Sequence, residues 1–247
     1  MRTRGLRRYL TAGMCLLLMA GCAAYAQEGL STNVDLAYVS KYVWRGTVPN
    51  PDPAFQPSIT ISNPSGLSFN FWASMDTTNI SGNSGNFTEE DYTLTYAWKS
   101  MSAGYIYYAF PNTTYPSTQE LFFNTPLGSK LPISLALNYD FDEAKGLYGA
   151  LSTSYDYAMK GGNSMSLSAK LGFASSGYND FYFYGADKTG LVDLVLGVSM
   201  PFESGKMKIT PSVTYSTVVN SDLKDALSAN GVDENNFIAG LTISSAF

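Results

Sequence analysis

The sequence predicts an all-β chain: a transmembrane antiparallel up-and-down β-barrel of twelve strands, with short periplasmic turns and longer extracellular loops. Three observations predict it. Large apolar side chains recur at every second position in one segment after another. Each segment is about ten residues long, the length a tilted strand needs to cross a bilayer. Short turns and long loops alternate along the chain, as they do when a barrel is threaded through a membrane from one side.

The chain opens with a leader. Arg2, Arg4, Arg7 and Arg8 precede an apolar run from Tyr9 to Ala23 and an A-x-A site at Ala24-Tyr25-Ala26, the pattern of a cleaved secretory signal peptide over residues 1–26. A second cut is open at Met19-Ala20-Gly21-Cys22, which looks like a bacterial lipoprotein box with Met in place of the usual Leu and would make Cys22 a lipidation site. Both cysteines, Cys15 and Cys22, lie in this leader, so a chain starting at Gln27 has no thiol and no disulfide framework. The 15 Lys+Arg and 20 Asp+Glu become 11 against 20 once the leader's four arginines are removed, a net charge of −9. That balance disfavours nucleic acid and anionic surfaces as partners. No later window approaches 18 consecutive apolar residues, which excludes a helical span over residues 27–247.

The alternating rows justify the strands in order. Val34, Leu36, Tyr38, Tyr42 and Trp44 form the first, Phe55, Ile59 and Ile61 the second, Leu67, Phe69, Phe71 and Met75 the third, and Tyr92, Leu94, Tyr96 and Trp98 the fourth. Gly104 to Phe110 and Gln119 to Asn124 carry aromatics on both faces, so their sides stay unassigned. Ile133 to Phe141, then Leu147, Leu151, Tyr155 and Tyr157, restore the alternation. Met165 to Phe173, Val192 to Met200, Ile209 to Tyr215, and the closing FIAGLTISSAF (Phe237 to Phe247) complete the twelve.

Short connections fall at Asn63 to Gly66, Ser100 to Ser102, Pro126 to Leu131, Lys160 to Asn163 and Glu203 to Lys206, where Gly and Asn suit tight hairpins. Between them lie Gly46 to Asp52, Thr77 to Asn86, Pro111 to Ser117, the brief Glu143 to Gly146, Ser175 to Gly190 and Asn220 to Asn235. The face opposite the apolar rows is mostly Ser, Thr, Asn, Gly and Ala, as in Ser58, Thr60 and Ser62 or Thr210, Ser212 and Thr214. A soluble sandwich would present Lys and Glu there. A small hydroxylated face suits a wet lumen instead, with the apolar rows toward lipid. Aromatics near the strand ends, Trp44, Tyr139 and Phe141 on one side and Trp98, Tyr155, Tyr157 and Phe202 on the other, form two interfacial girdles.

The stretch VSKYVWRG, Val39 to Gly46, followed by PAFQPSITIS from Pro53, resembles the opening of the TorF-type porin family, in which V-S-x-Y-x-x-R-G precedes a P-A-x-Q segment; Lys41 stands where that family often has Asp. The likeness covers about the first thirty residues after the leader and implies a bacterial outer-membrane β-barrel. The closing strand is similar to those of outer-membrane barrels generally, which commonly end in Phe, and this implies that Phe247 is the signal read by the barrel-assembly machinery.

The absence of histidine removes the usual general base of barrel hydrolases, acyl-transfer enzymes and proteases, and the chain is expected not to be an enzyme. Without Cys or His no zinc cluster forms, and no calcium loop or phosphate cradle is present. No cofactor is expected. The acidic run Asp222 to Glu234 reads as soluble surface or as a divalent-cation contact with lipopolysaccharide.

What remains is the lumen wall. The assigned faces turn Asp35, Lys41, Arg45, Asp76, Asp91, Lys99, Asp140, Asp142, Asp156, Lys170, Asp193 and Lys208 inward. Of these, Arg45, Asp76, Asp91, Asp140, Asp142 and Asp193 lie toward the long-loop mouth, with Lys41 near them. Two readings stand. One is an acidic eyelet with Arg45 as counter-charge, in an outer-membrane porin-like channel for passive diffusion of small hydrophilic solutes with a cation preference. The other is an interior ion-pair network that plugs the bore. A closed barrel whose extracellular loops serve adhesion or partner binding is the alternative function, although Tyr178, Phe181, Tyr182, Phe183 and Tyr184 also suit a constriction folded into the mouth. Expected partners are outer-membrane lipid and lipopolysaccharide, the assembly machinery and small hydrophilic solutes.

Overall fold

The computed structural model describes residues 29–80, 82–128, 132–159 and 162–247. The leader, the cut after Ala26 and Cys22 lie outside the described residues.

In chain order the elements are β1 (Ser31–Val39), β2 (Tyr42–Trp44), β3 (Thr47–Asn50), β4 (Ala54–Ser62), β5 (Leu67–Asp76), β6 (Phe87–Trp98), β7 (Met101–Ala109), β8 (Thr118–Pro126), β9 (Ile133–Asp140), β10 (Gly146–Ala158), β11 (Ser164–Ala174), helix α1 (Ser176–Tyr182), β12 (Gly190–Ser199), β13 (Phe202–Ser204), β14 (Met207–Val218), helix α2 (Ser221–Ala229) and β15 (Asn235–Ala246). Twelve of the strands close into one antiparallel up-and-down barrel, with β2 and β3 forming a separate hairpin and β13 a short extension alongside β14. Closure joins the first strand to the last. Tyr38 pairs with Leu241 and Val34 with Ser245, and Phe247 exchanges backbone hydrogen bonds with Thr32 at 2.8 and 3.1 Å.

Side-chain alternation sorts the wall as the pattern predicts. Leu94, Leu121 and Leu241 face outward with 48%, 53% and 45% exposure, and their neighbours on the same face are Tyr96, Leu67, Tyr139, Tyr155 and Phe237. Leaving so continuous an apolar belt in water would overwhelm the marginal stability of any fold, so the belt faces hydrocarbon. Cross-strand registers also settle the two unassigned segments. Leu94 pairs with Tyr105, and Tyr105 with Leu121, on the outer face, which turns Ile106, Tyr108, Glu120 and Phe122 inward. Gly104 leaves room for one of them, since a Cβ there would sit 2.6 Å from the Phe122 ring.

Three residues of the outward rows lie elsewhere. The first row breaks at Ser40-Lys41, and Tyr42 and Trp44 belong to the β2–β3 hairpin, which turns back into the bore. Arg45 and Gly46 at its tip both have positive φ, 48° and 87°, as a two-residue hairpin turn requires. Trp44 is therefore an interior residue and not part of a girdle. Val192 is the third. Leu171 pairs with Leu194 but Phe173 with Leu191, so Val192 and Asp193 together oppose Gly172 in a β-bulge, and both are fully buried.

Two of the long loops, expected as coil, hold helices α1 and α2. Asn220 caps α2 by accepting from the backbone N–H of Asp222 and Leu223, and its Leu223 and Leu227 are buried with Val192, Val218, Tyr178 and Phe183 over the bore. The asymmetry between the faces gives a test. Leu241→Lys on the lipid belt should cost about 2–4 kcal/mol in urea unfolding from lipid vesicles, whereas Thr242→Lys, on the wet face beside it, should leave the midpoint nearly unchanged.

Candidate functional site

The bore has two unlike halves. Toward the short-turn end the inward side chains are small and hydroxylated and reach water. Ser134, Ser152, Ser154, Ser168, Lys170 and Val195 surround a cavity of about 290 Å³ there. On the opposite wall Asn70 Nδ2 donates to Ser58 Oγ and Thr60 Oγ1, both at 2.8 Å, so the hydroxyls are ordered across strands.

Toward the long-loop end the bore is filled. The β2–β3 hairpin crosses it, and its tip lies against the far wall: a Cβ on Gly46 would stand 3.1 Å from Val218, 3.3 Å from Asp193 and 3.4 Å from Phe183. Arg45 holds the tip. Its Nη1 and Nη2 donate to Glu120 Oε1 and Oε2 at 2.6 and 2.9 Å, and Nη1 also donates to Tyr178 Oη at 3.5 Å. The guanidinium carbon lies 4.3 Å from the Trp44 ring centre and 4.6 Å from that of Tyr148. Glu120 Oε2 accepts a further hydrogen bond from Tyr108 Oη at 2.9 Å. A planar fork paired with a carboxylate and stacked on rings is the geometry that suits Arg and not Lys. The Trp44 ring is itself boxed by Tyr108, Tyr178 and Tyr182. Burial pushes the Tyr178 and Tyr182 phenols of α1 up, so both stay protonated, Tyr178 Oη accepting from Arg45 and Tyr182 Oη donating to Asp140 Oδ2.

The hairpin's root is tied as well. Tyr42 Oη donates to Glu89 at 3.2 Å and its ring lies 5.5 Å from that of Trp72; Asn50 Nδ2 donates to Asp76 at 2.7 Å. Lys41 donates to Asn236 Oδ1 at 2.8 Å and lies 3.5 Å from Asp233, outside the filled section. Tyr148 Oη donates to Asp193 Oδ1 at 2.8 Å, and Lys170 Nζ is 3.0 Å from the other oxygen of Asp193. Gly172 makes that junction possible, because its Cβ would meet Asp193 Oδ1 and Tyr148 Oη at 2.0 and 2.5 Å.

Of the residues predicted for the eyelet, Arg45, Asp76, Asp91, Asp140 and Asp193 do converge on the long-loop half. Asp140 and Asp142 do not share a face. Asp140 is sealed, accepting from Thr118 Oγ1, Tyr182 Oη and the backbone N–H of Asp142 and Ala144. Asp142 lies past the end of β9 and accepts from Gln119 Nε2 at 2.9 Å, on the outer rim. Two carboxylates that close the set were missed, Glu89 and Glu120. Glu89 is two residues before Asp91 on one strand face, a spacing that would have placed it; Glu120 sat in a segment whose Phe122 and Phe123 hid the period. Among the described residues the section thus gathers Asp76, Glu89, Asp91, Glu120, Asp140 and Asp193 around two cations, Arg45 and Lys170.

This arrangement defines a wall-and-plug lumen inside a twelve-stranded up-and-down barrel. No protein-family model matches the chain, and no curated protein does. The chain is similar to a solved KdgM porin in complex with disordered oligogalacturonate (TM-score 0.51, 11% identity, 87% of this chain and 99% of that one). It is also similar to the KdgM porin on its own (0.47, 11%, 87% and 99%) and to the NanC porin (0.44, 10%, 87% and 98%). At 11% identity the first of these likenesses shows the fold alone.

The buried pair gives a prediction. Glu120→Ala strands a buried guanidinium and should destabilise the docked hairpin by about 3–5 kcal/mol. Trypsin should then cleave the Arg45-Gly46 bond of the E120A protein and leave it intact in the wild type, while both retain a folded barrel by heat modifiability in gel electrophoresis.

Proposed function

We propose that the chain is an outer-membrane channel, related to the TorF-type porin family, that passes small hydrophilic solutes by passive diffusion and favours cations. The observation that carries this reading is the bore itself: a hydroxylated, water-accessible half that meets a section with six carboxylates and two cations, inside a belt that faces lipid. No reaction is needed. Small polar walls replace part of a solute's hydration, and an excess of fixed negative charge lowers the potential for cations and raises it for anions. Oligogalacturonate, the polyanion bound in one structural neighbour, is a poor match for that wall.

In this reading the leader directs export and is cut after Ala26. The assembly machinery reads Phe247. Lipid and lipopolysaccharide surround the belt, with the short turns in the periplasm and the long loops outside. A second reading is favoured by one observation, the filled long-loop end. A barrel sealed there, with Tyr115 and Tyr184 exposed at 72% and 55% on its loops, would serve adhesion or partner binding.

Planar-bilayer recording of the purified protein separates the two. The channel reading expects discrete conductance steps and a reversal potential on the cation side in a potassium chloride gradient. A bilayer that stays silent, for the wild type and for variants with a loosened hairpin, favours the sealed barrel.

A further inference from the structure

The plug is built in a way that a permanent seal does not require. A fixed stopper in a barrel is most stable when apolar, because a buried ion pair recovers its desolvation cost only with excellent geometry. Here the hairpin tip carries the most strongly hydrogen-bonding cation available, and the wall has a receptor shaped for it. Glu120 offers both oxygens to the fork, Tyr108 orients Glu120, Tyr148 presents a ring face, and Tyr178 adds a hydroxyl. Three of these four groups come from barrel strands, β7, β8 and β10, and Tyr178 from α1. They stay behind if the hairpin leaves. Asp91 lies on the same lumen section, and its Oδ1 has no hydrogen-bond partner among the described residues.

Resting on the channel reading above, we propose that Arg45 is a tethered stand-in for the permeant solute. Its guanidinium occupies a cation site formed by Glu120, Tyr108, Tyr148 and Tyr178, and the site's external ligands are organic cations bearing a guanidinium group. Such a solute competes with Arg45 for Glu120. Once it wins, the β2–β3 hairpin loses its anchor at the tip, and the filled section opens onto the hydroxylated cavity. The root contacts, Tyr42 with Glu89 and Asn50 with Asp76, then act as the hinge side that returns the hairpin.

The test uses the full-length mature protein in planar bilayers, with methylguanidinium as probe and tetramethylammonium, equal in charge but without N–H donors, as control. Wild type should open more often when methylguanidinium is added and should not respond to tetramethylammonium. R45A should conduct without any trigger, and methylguanidinium at millimolar concentration should reduce its sodium current several-fold by filling the vacated site. That block should vanish in R45A/E120Q.

A binding readout in detergent keeps the site testable apart from conduction. Methylguanidinium should raise the unfolding temperature of R45A but not of R45A/E120Q. R45K, which retains charge and loses the fork, replaces R45A should the latter fail to assemble. If the variants conduct but methylguanidinium and tetramethylammonium act alike, the site is overturned and the channel stands. If every variant is silent, the channel reading falls, and the unfolding shift alone then decides whether the cation site exists.

Discussion

The structure depends on a mismatch of widths. Twelve strands enclose a bore that their own inward side chains do not fill, and the long-loop half is closed by another segment pinned across it beneath the two loop helices. The pin is the Arg45–Glu120 pair. Two charge-assisted hydrogen bonds fix a planar group from both ends, and the rings of Trp44 and Tyr148 hold it in the remaining direction. Without a partner at Glu120, the guanidinium would be an isolated charge in a dry section, which is the most costly state available to it.

Other features of that section follow from the pin. The hairpin turn needs two residues of positive φ, and Gly46 supplies one while allowing the tip to approach Val218 and Phe183 within van der Waals distance. The bulge in β12 adds the extra residue that lets Asp193 face Tyr148 and Lys170 while Val192 packs under the two loop helices. Gly172 leaves the space in which they meet. Backbone irregularities are concentrated where the lumen is full, as at the β12 bulge and the register shift between Ser74 and Met75, and the regular ladder continues where it is wet.

The two halves of the bore therefore differ in chemistry. The short-turn half offers water and hydroxyls. The long-loop half offers charge, aromatic faces and closure. Apolar packing by Leu223, Leu227 and Phe183 covers this section from the loop side, so the charged network is shielded from bulk water on that side. Low local dielectric strengthens every contact within it.

How much of this was legible in the chain differs by level. Period-two alternation over about ten residues determined the strands, their outward rows and the order of short and long connections, because side-chain direction in a strand is a local property of the backbone. The inward acids Asp76, Asp91, Asp140 and Asp193 followed from the same count. Asn220 with Leu223 and Leu227 carried a helical signal that the acidic composition of the loop masked. Tertiary structure alone decided that Tyr42 and Trp44 leave the first row, that Glu120 is the partner of Arg45, 75 positions away, and that eyelet residues and plug residues are one network. The physical reason is that alternation tells which face a residue occupies, while what lies across a lumen depends on closure of the sheet, which no local pattern encodes.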